Sequence, residues 1–260
     1  MRILISNDDG VRAPGILALT RRMARLGDVF VVAPDRQRSA SSHGITFHRP
    51  LYVERVELGA GETEAYAVSG TPVDCVKWAI TVLGRDLPFD WMVSGINEGA
   101  NLAVDVLYSG TVAAAGEAAL QRVPAMALSL CGPPWPFDEA AEAALALVEA
   151  FMQERDGWPA DTFLNVNFPS HGLREAPWRA TELGARGYRD AFRKEVDGEG
   201  KLCYRYAGEA VEERRGPSTD VIAVKTGAIS VTPLRYRFTN QDWLATLETW
   251  MARSPWNRGG

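Results

Sequence analysis

The first ten residues, Met1-Arg2-Ile3-Leu4-Ile5-Ser6-Asn7-Asp8-Asp9-Gly10, constrain this chain more than any other stretch. A short apolar run that stops abruptly at Asn-Asp-Asp-Gly predicts a buried first strand delivering two adjacent carboxylates to the edge of a sheet. That edge is where open α/β folds bind ligands. Like charges held so close raise each other's pKa, and a divalent cation relieves the repulsion. The stretch therefore reads either as a metal site or as a solvated turn, since Asn, Asp and Gly are the commonest turn formers.

Two other readings of the same residues are weaker. A dinucleotide-binding turn lacks its G-x-G-x-x-G fingerprint here, and acids repel a pyrophosphate unless a cation intervenes. A haloacid-dehalogenase-like phosphatase also carries an Asp after its first strand, but its D-x-D spacing is absent.

The rest of the composition narrows the metal. Cys75, Cys131 and Cys203 are scattered and odd in number, and His43, His48 and His171 form no H-E-x-x-H or similar cluster, so zinc is unsupported. A cation here is held mainly by oxygen, which favours magnesium or manganese. The net charge of −5, with no basic block, argues against a general nucleic-acid binder. The start of the chain has no long apolar segment, which predicts no membrane span or signal peptide and a cytoplasmic protein. At 260 residues the chain is long enough for a large core with an appendage.

Along the chain, Ile16 to Leu26 predicts a helix stopped by Gly27, and Asp28 to Pro34 a second buried strand, which completes a right-handed β-α-β unit with parallel strands. The polar segment Asp35 to Gly44 then opens on the same edge as Asp8 and Asp9. Ile45 to Arg55 and Glu64 to Ser69 read as strands, and Thr71-Pro72-Val73-Asp74 as a capped helix start running to Gly84. Phe89 to Ser94 reads as a strand entering the Gly- and Asn-rich loop Gly95 to Asn101. Ser109-Gly110-Thr111 opens the helix Val112 to Gln121 and offers free N–H groups, two hydroxyls and the positive end of the helix dipole to an anion. Each loop follows a predicted buried strand, so all three meet at one sheet edge.

Pro124 to Leu130 and Thr162 to Phe168 are further predicted strands around a helix from Phe137 to Arg155, after which the α/β alternation stops. Phe192 to Val196 and Lys201 to Tyr206 form a candidate hairpin with exposed aromatics, which needs a partner to be stable. Ile222 to Lys225 and Ala228 to Thr232 read as strands. A final helix, Asn240 to Arg253, carries Trp243, Leu244, Leu247, Trp250 and Met251, a face too apolar for water. The expected fold is α/β: a Rossmann-like, mostly parallel sheet flanked by helices over residues 1–170, and a C-terminal extension over 171–260 with the hairpin and terminal helix.

Asn7-Asp8-Asp9-Gly10, Ala33-Pro34-Asp35-Arg36-Gln37-Arg38-Ser39, Ser94-Gly95-Ile96-Asn97-Glu98-Gly99, Tyr108-Ser109-Gly110-Thr111-Val112 and Ser230-Val231-Thr232-Pro233-Leu234 together resemble the SurE family of stationary-phase survival proteins, which are nucleotidases. The resemblance covers essentially the full chain. It implies a metal-dependent hydrolase acting on nucleoside monophosphates, as a 5′-nucleotidase, with 3′-nucleotidase and exopolyphosphatase activity in some members. It also implies one divalent ion per subunit (Mg2+ or Mn2+), with Asp8, Asp9, Ser39 and Asn97 at the family's metal ligands.

By the same resemblance, Asn101 and Ser109, Gly110 and Thr111 fall where the phosphate is held. A homodimer or homotetramer through the C-terminal region is implied too. Ala40 departs from the glycine that many members carry, and His43 occupies a variable position; His43 is a candidate phosphate-binding residue and leaving-group acid. Asp8 and Asp9 are the candidate catalytic carboxylates, with either one open as base or nucleophile. The competing class is a non-catalytic nucleotide or phosphate sensor, against which the adjacent acids argue.

Overall fold

The computed structural model describes residues 1–154, 157–184, 186–189, 191–212, 216 and 218–253. At its centre is β1 (Arg2–Ser6), paired in parallel on one side with β2 (Asp28–Pro34) and on the other with β5 (Trp91–Glu98). Beyond β2 lie β4 (Glu64–Val68) and β3 (Val53–Val56); beyond β5 lie β6 (Ala125–Cys131) and β7 (Phe163–Pro169). The chain thus builds outward from β1 in one direction and then in the other, which makes the carboxyl ends of β1, β2 and β5 a topological switch point.

Both faces of this sheet are covered, which is why β1 is apolar without interruption. Ile3 and Ile5 pack with α1 (Pro14–Met23) and α4 (Phe137–Met152), against Ile16, Leu19, Leu145 and Val148. Leu4 points the other way, toward α2 (Pro72–Trp78) and α3 (Gly110–Leu120), against Val76, Ala114 and Ala118. A parallel strand buried on both faces favours an unbroken apolar run such as Ile3 to Ile5, and a polar side chain within it needs a buried partner. Truncating a core residue such as Leu4 to alanine costs about 2–5 kcal/mol.

The helices start where the sequence signals them. Thr71 and Asp74 form a reciprocal capping box at α2, Asp74 N–H to Thr71 Oγ1 at 3.1 Å and Thr71 N–H to Asp74 Oδ2 at 2.8 Å. One wide turn, Ala79–Leu83, follows α2 directly. The helix α4 ends at Met152, short of the predicted Arg155, which lies outside the described residues.

Two predicted strands are corrected. Of Ile45 to Arg55, only the last residues enter the sheet, in β3; Ile45, Phe47 and Tyr52 are exposed, so the alternating apolar pattern there answers to no neighbouring sheet face. Ile222 to Lys225 is helical, within α5 (Asp220–Lys225), because Thr219 and Asp220 open a helical turn that the short β-branched run does not override. The predicted strand Ala228 to Thr232 is present as β13 (Ile229–Leu234), which adds antiparallel to β7 and carries the short parallel strand β8 (Trp178–Ala180) at the sheet's edge.

Outside the nine-stranded sheet are two ribbons. The predicted hairpin pairs β10 (Phe192–Val196) with β11 (Leu202–Tyr206), and β9 (Arg186–Arg189) pairs with β12 (Glu209–Glu212). The last helix, α6 (Gln241–Ala252), is capped by the Asn240 side chain at Trp243 N–H and buries none of its residues. Among the described residues no helix is long and apolar enough to cross a membrane.

Candidate active site

Beyond Ser6 the chain leaves β1 in a turn closed by the buried Asn7, whose side chain donates to Gly10 O at 2.9 Å and accepts from Gly10 N–H at 3.1 Å. This fixes Asp8 and Asp9 in opposite surroundings. Asp8 is buried, and its Oδ1 accepts from Thr111 Oγ1 at 2.5 Å. Asp9 is half-buried, and its carboxylate accepts from Glu98 N–H at 3.1 Å and from Gln37 Nε2 at 3.4 Å.

Neither acid is comfortable as an anion. Burial pushes the Asp8 carboxyl above its usual range, although its bond from Thr111 and the backbone N–H groups of Thr111 and Gly110 pull the other way. Burial, reinforced by the charge of Asp8 next to it, pushes Asp9 up to about 6.

A cleft of about 730 Å³ opens above the pair, lined also by Ser39, Asn97, Asn101 and Ser109. Asn97 reaches it through an irregularity: the β5–β6 register shifts between Ser94 and Asn97, which turns the end of β5 out of the ladder. Gly95 sits at this shift, where a Cβ would run into Leu128 O, so any side chain there collides with β6. The Asn97 amide nitrogen is committed to Gly99 O at 2.8 Å, which leaves its Oδ1 to face a ligand.

Asn101 is held by three buried partners. Its N–H donates to Asn167 Oδ1 at 2.9 Å, its carbonyl accepts from Asn165 and Asn167, and its side chain donates to Ser129 Oγ at 2.8 Å. Ser109 caps α3, accepting from Val112 N–H at 3.1 Å, and its own proton remains available to the cleft.

Three of the residues singled out in the sequence do not line this cleft. Gly110 and Thr111 lie beneath it, where the start of α3 serves the Asp8 carboxylate rather than open solvent. A Cβ on Gly110 would stand 2.6 Å from Ser41 Oγ and 2.8 Å from Asp8 Cβ, so glycine lets the helix approach the acid. His43 points elsewhere, to Glu117 Oε2 at 2.9 Å and the Tyr236 hydroxyl at 3.1 Å, beside a separate apolar cavity of about 220 Å³. Burial works to raise the pKa of Glu117, but bonds from His43, Lys77 and Gln121 outweigh it and hold the carboxyl below its usual range.

Residues that sequence reasoning passed over include Gln37, Tyr108 and Tyr206, all on the cleft wall, and the asparagines behind Asn101. Asn165 and Asn167 did carry a signal, as two amides alternating in an otherwise apolar strand. Tyr206 carried none, because it arrives from the β10–β11 ribbon.

Comparison with known proteins decides the family. Residues 3–190 match the family model "Survival protein SurE". The chain belongs to the SurE family. It is 47% identical over 251 residues to "5′-nucleotidase SurE 1" of Thermus thermophilus, spanning 95% of this chain and 96% of that protein. To "5′-nucleotidase SurE" of Heliobacterium modesticaldum it is 45% identical over 255 residues, spanning 96% and 92%. The crystal structure of the SurE protein from Aquifex aeolicus superimposes with a TM-score of 0.83 at 37% identity, covering 96% of this chain and 100% of that one.

The SurE cleft in this chain has the donor set of a hard divalent cation. Among the described residues no group of three or more His, Cys, Asp and Glu gathers as a metal cluster. Two carboxylates gather instead with neutral hydroxyl and amide oxygens, a set of hard oxygen donors that suits a divalent cation. The two desolvated acids have raised pKa values, and among the described residues no cationic side chain stands on the cleft wall; a divalent ion relieves both conditions.

Proposed function

We propose that this cleft hydrolyses nucleoside 5′-monophosphates, using one Mg2+ or Mn2+ per subunit. The observation that carries this reading is the wall itself: Asp8, Asp9, Glu98 and Asp105 line the cleft, and among the described residues no Lys or Arg does. A phosphate dianion is repelled by such a wall, so a phosphate-binding cleft of this composition needs a cation as its partner. The same composition counts against a sensor, since a pure phosphate binder is built from cationic or amide donors.

Asp8, Asp9, Ser39 and Asn97 would hold the ion, and when bound it supplies charge neutralisation at the phosphoryl oxygens and acidifies a water. Asp8 is kept in one orientation by Thr111. Asp9, the more accessible of the two, orients the attacking water and takes its proton as the new P–O bond forms and the ester P–O bond breaks, and that proton then passes to the leaving nucleoside oxygen. Ser109 donates its hydroxyl, and Asn101 its rigidly held amide, to the non-bridging oxygens as charge develops. Tyr108 and Tyr206 supply apolar wall for the nucleoside.

In this scheme residues 1–170 form the catalytic core, and 171–260 the extension that joins copies into a homodimer or homotetramer. The exposed Trp243, Trp250 and Met251 of α6, a helix without a buried residue, support that assignment. The nucleotide substrate and scattered cysteines fit a cytoplasmic enzyme.

The test is phosphate release from a panel of 5′- and 3′-nucleoside monophosphates and a short polyphosphate, with Mg2+, with Mn2+ and with chelator. Metal-dependent release from 5′-monophosphates, lost with chelator and in Asp8→Asn, is the expected result. Nucleotide binding without release under either metal would replace the enzyme by a sensor.

A further inference from the structure

His43 makes no contact with the cleft, yet the segment it ends does. The loop from Asp35 to Gly44 carries Ser39 and is anchored on both flanks: Arg38 N–H donates to Asp8 O at 2.7 Å, and Ser42 donates through N–H to Tyr108 O at 3.0 Å and through Oγ to Leu107 O at 2.7 Å. Between these anchors the backbone is strained, with Ala40 at φ 56° and Ser42 at φ 51°, the left-handed region that residues with a Cβ avoid. Such a conformation persists only where the surroundings over-determine it. His43, the next residue, is the side chain placed to do so.

Its partners form a closed set. Glu117, with 4% of its side chain exposed, stands in a helix made mainly of Ala and Gly and accepts from His43, from Lys77 Nζ at 2.7 Å and from Gln121 Nε2 at 2.8 Å. Because Glu117 only accepts, His43 Nε2 donates to it, and Nδ1 is bonded to the Tyr236 hydroxyl at 3.1 Å. The ring is therefore a fully used spacer between α3 and the segment after β13. A residue spent on both nitrogens has no nitrogen left to act as acid on a leaving group.

Helix α3 ties two of the three ligand-bearing segments together. Its first turn holds Asp8 through Thr111, and Glu117, further along the same helix, holds His43. One rigid element thus sets the position of two of the three segments that carry ligand oxygens, the turn of Asp8 and Asp9 and the loop of Ser39, with Asn97 coming from the end of β5.

We propose that His43 is a positioning residue: through Glu117 it registers the Ser39 loop on the same helix that holds Asp8, and so sets the spacing of the cation's oxygen ligands. This rests on the reading of the cleft as a divalent-metal site.

The experiment compares wild type, His43→Ala, His43→Gln and Glu117→Gln in the full-length chain by amide hydrogen exchange, Mn2+ binding and steady-state kinetics. The expected result for His43→Ala is faster exchange at Arg38 and Ser42, Mn2+ affinity weaker by about tenfold, and a fall in kcat larger than any change in KM. His43→Gln, which keeps an N–H donor within reach of Glu117, restores most of each and leaves the pH–rate profile with its wild-type shape.

Unchanged exchange in His43→Ala would overturn the proposal, as would unchanged Mn2+ affinity. A His43→Gln enzyme as slow as His43→Ala, with one limb of the pH profile missing, would instead make His43 a proton donor. Should wild type bind no Mn2+, the metal reading fails, and exchange still decides whether His43 holds the loop. A melting curve on each variant separates these outcomes from failure to fold; Tyr236→Phe, which removes one bond and keeps the ring, serves as the milder second variant.

Discussion

Thr111 Oγ1 lies 2.5 Å from Asp8 Oδ1, joining the first turn of α3 to the turn after β1 across 103 positions of sequence. The threonine is spent on a carboxylate that burial already disfavours, so its hydroxyl partly offsets that burial and holds Asp8 in one orientation. Thr111→Val, close in shape, leaves that oxygen without its donor. Metal affinity is expected to fall by about tenfold or more, and stability by roughly 1–3 kcal/mol. Calorimetric Mn2+ titration beside a thermal melt measures both.

Asp9→Asn should separate stability from function. Removing one of two adjacent acids relieves a repulsion that the metal-free protein carries, so its melting temperature rises by a few degrees while metal no longer raises it further. A lower melting temperature in Asp9→Asn without metal would contradict the assignment of Asp9 as a strained ligand.

The pH dependence has a definite sign. Asp9 titrates at about 6 in the fold, above its ordinary value of 3.8, so the charged form is the one the fold disfavours. The contribution of Asp9 to metal-free stability is accordingly full below 3.8 and is lost as pH rises from there to about 6. Metal binding runs the opposite way, because protons compete for the same oxygens: affinity climbs through about pH 6 and levels off above it. Melting curves at about pH 5 and about pH 7.5, each with and without Mg2+, should converge at the lower pH and separate at the higher.

Gly110→Ala places a methyl group against Asp8 and Ser41 at the point where α3 and the acid turn touch. Overpacking of this kind costs about 1–3 kcal/mol. The larger expected effect is on turnover, since the displaced group is Asp8 itself; a variant that melts lower yet keeps full kcat would show that the helix start is not bound to the site.

If residues 171–260 join copies of the chain as proposed, wild type sediments as an oligomer in analytical ultracentrifugation and Trp243→Glu together with Trp250→Glu as a monomer. An unchanged sedimentation coefficient relative to wild type would assign the apolar face of α6 to packing within its own chain.

Much of this site could be read before any fold was known, for a physical reason. The acid pair, the hydroxyl loop and the Gly- and Asn-rich loop each come after a strand whose uninterrupted apolar run marks it as buried, and parallel strands deliver their succeeding loops to one edge. Contact between positions distant in the chain stayed hidden. Nothing local to His43 signals Glu117, 74 residues away, and nothing local to Asn101 signals the amides 64 and 66 residues on that hold it.

Short segments failed for a related reason. In Ile222 to Lys225 so brief a run cannot distinguish a strand from a turn of helix, and the deciding group is the buried Asp220, which accepts from Ala103 N–H and Gly184 N–H, both at 2.8 Å.

Tyr206 reaches the cleft wall from a two-stranded ribbon that shares no ladder with the main sheet. On the proposed function, the residues that hold the ion and the residue that walls the nucleoside come from separate stretches of the chain, so substitutions in the ribbon are expected to change which nucleoside is accepted while leaving the hydrolytic step in place.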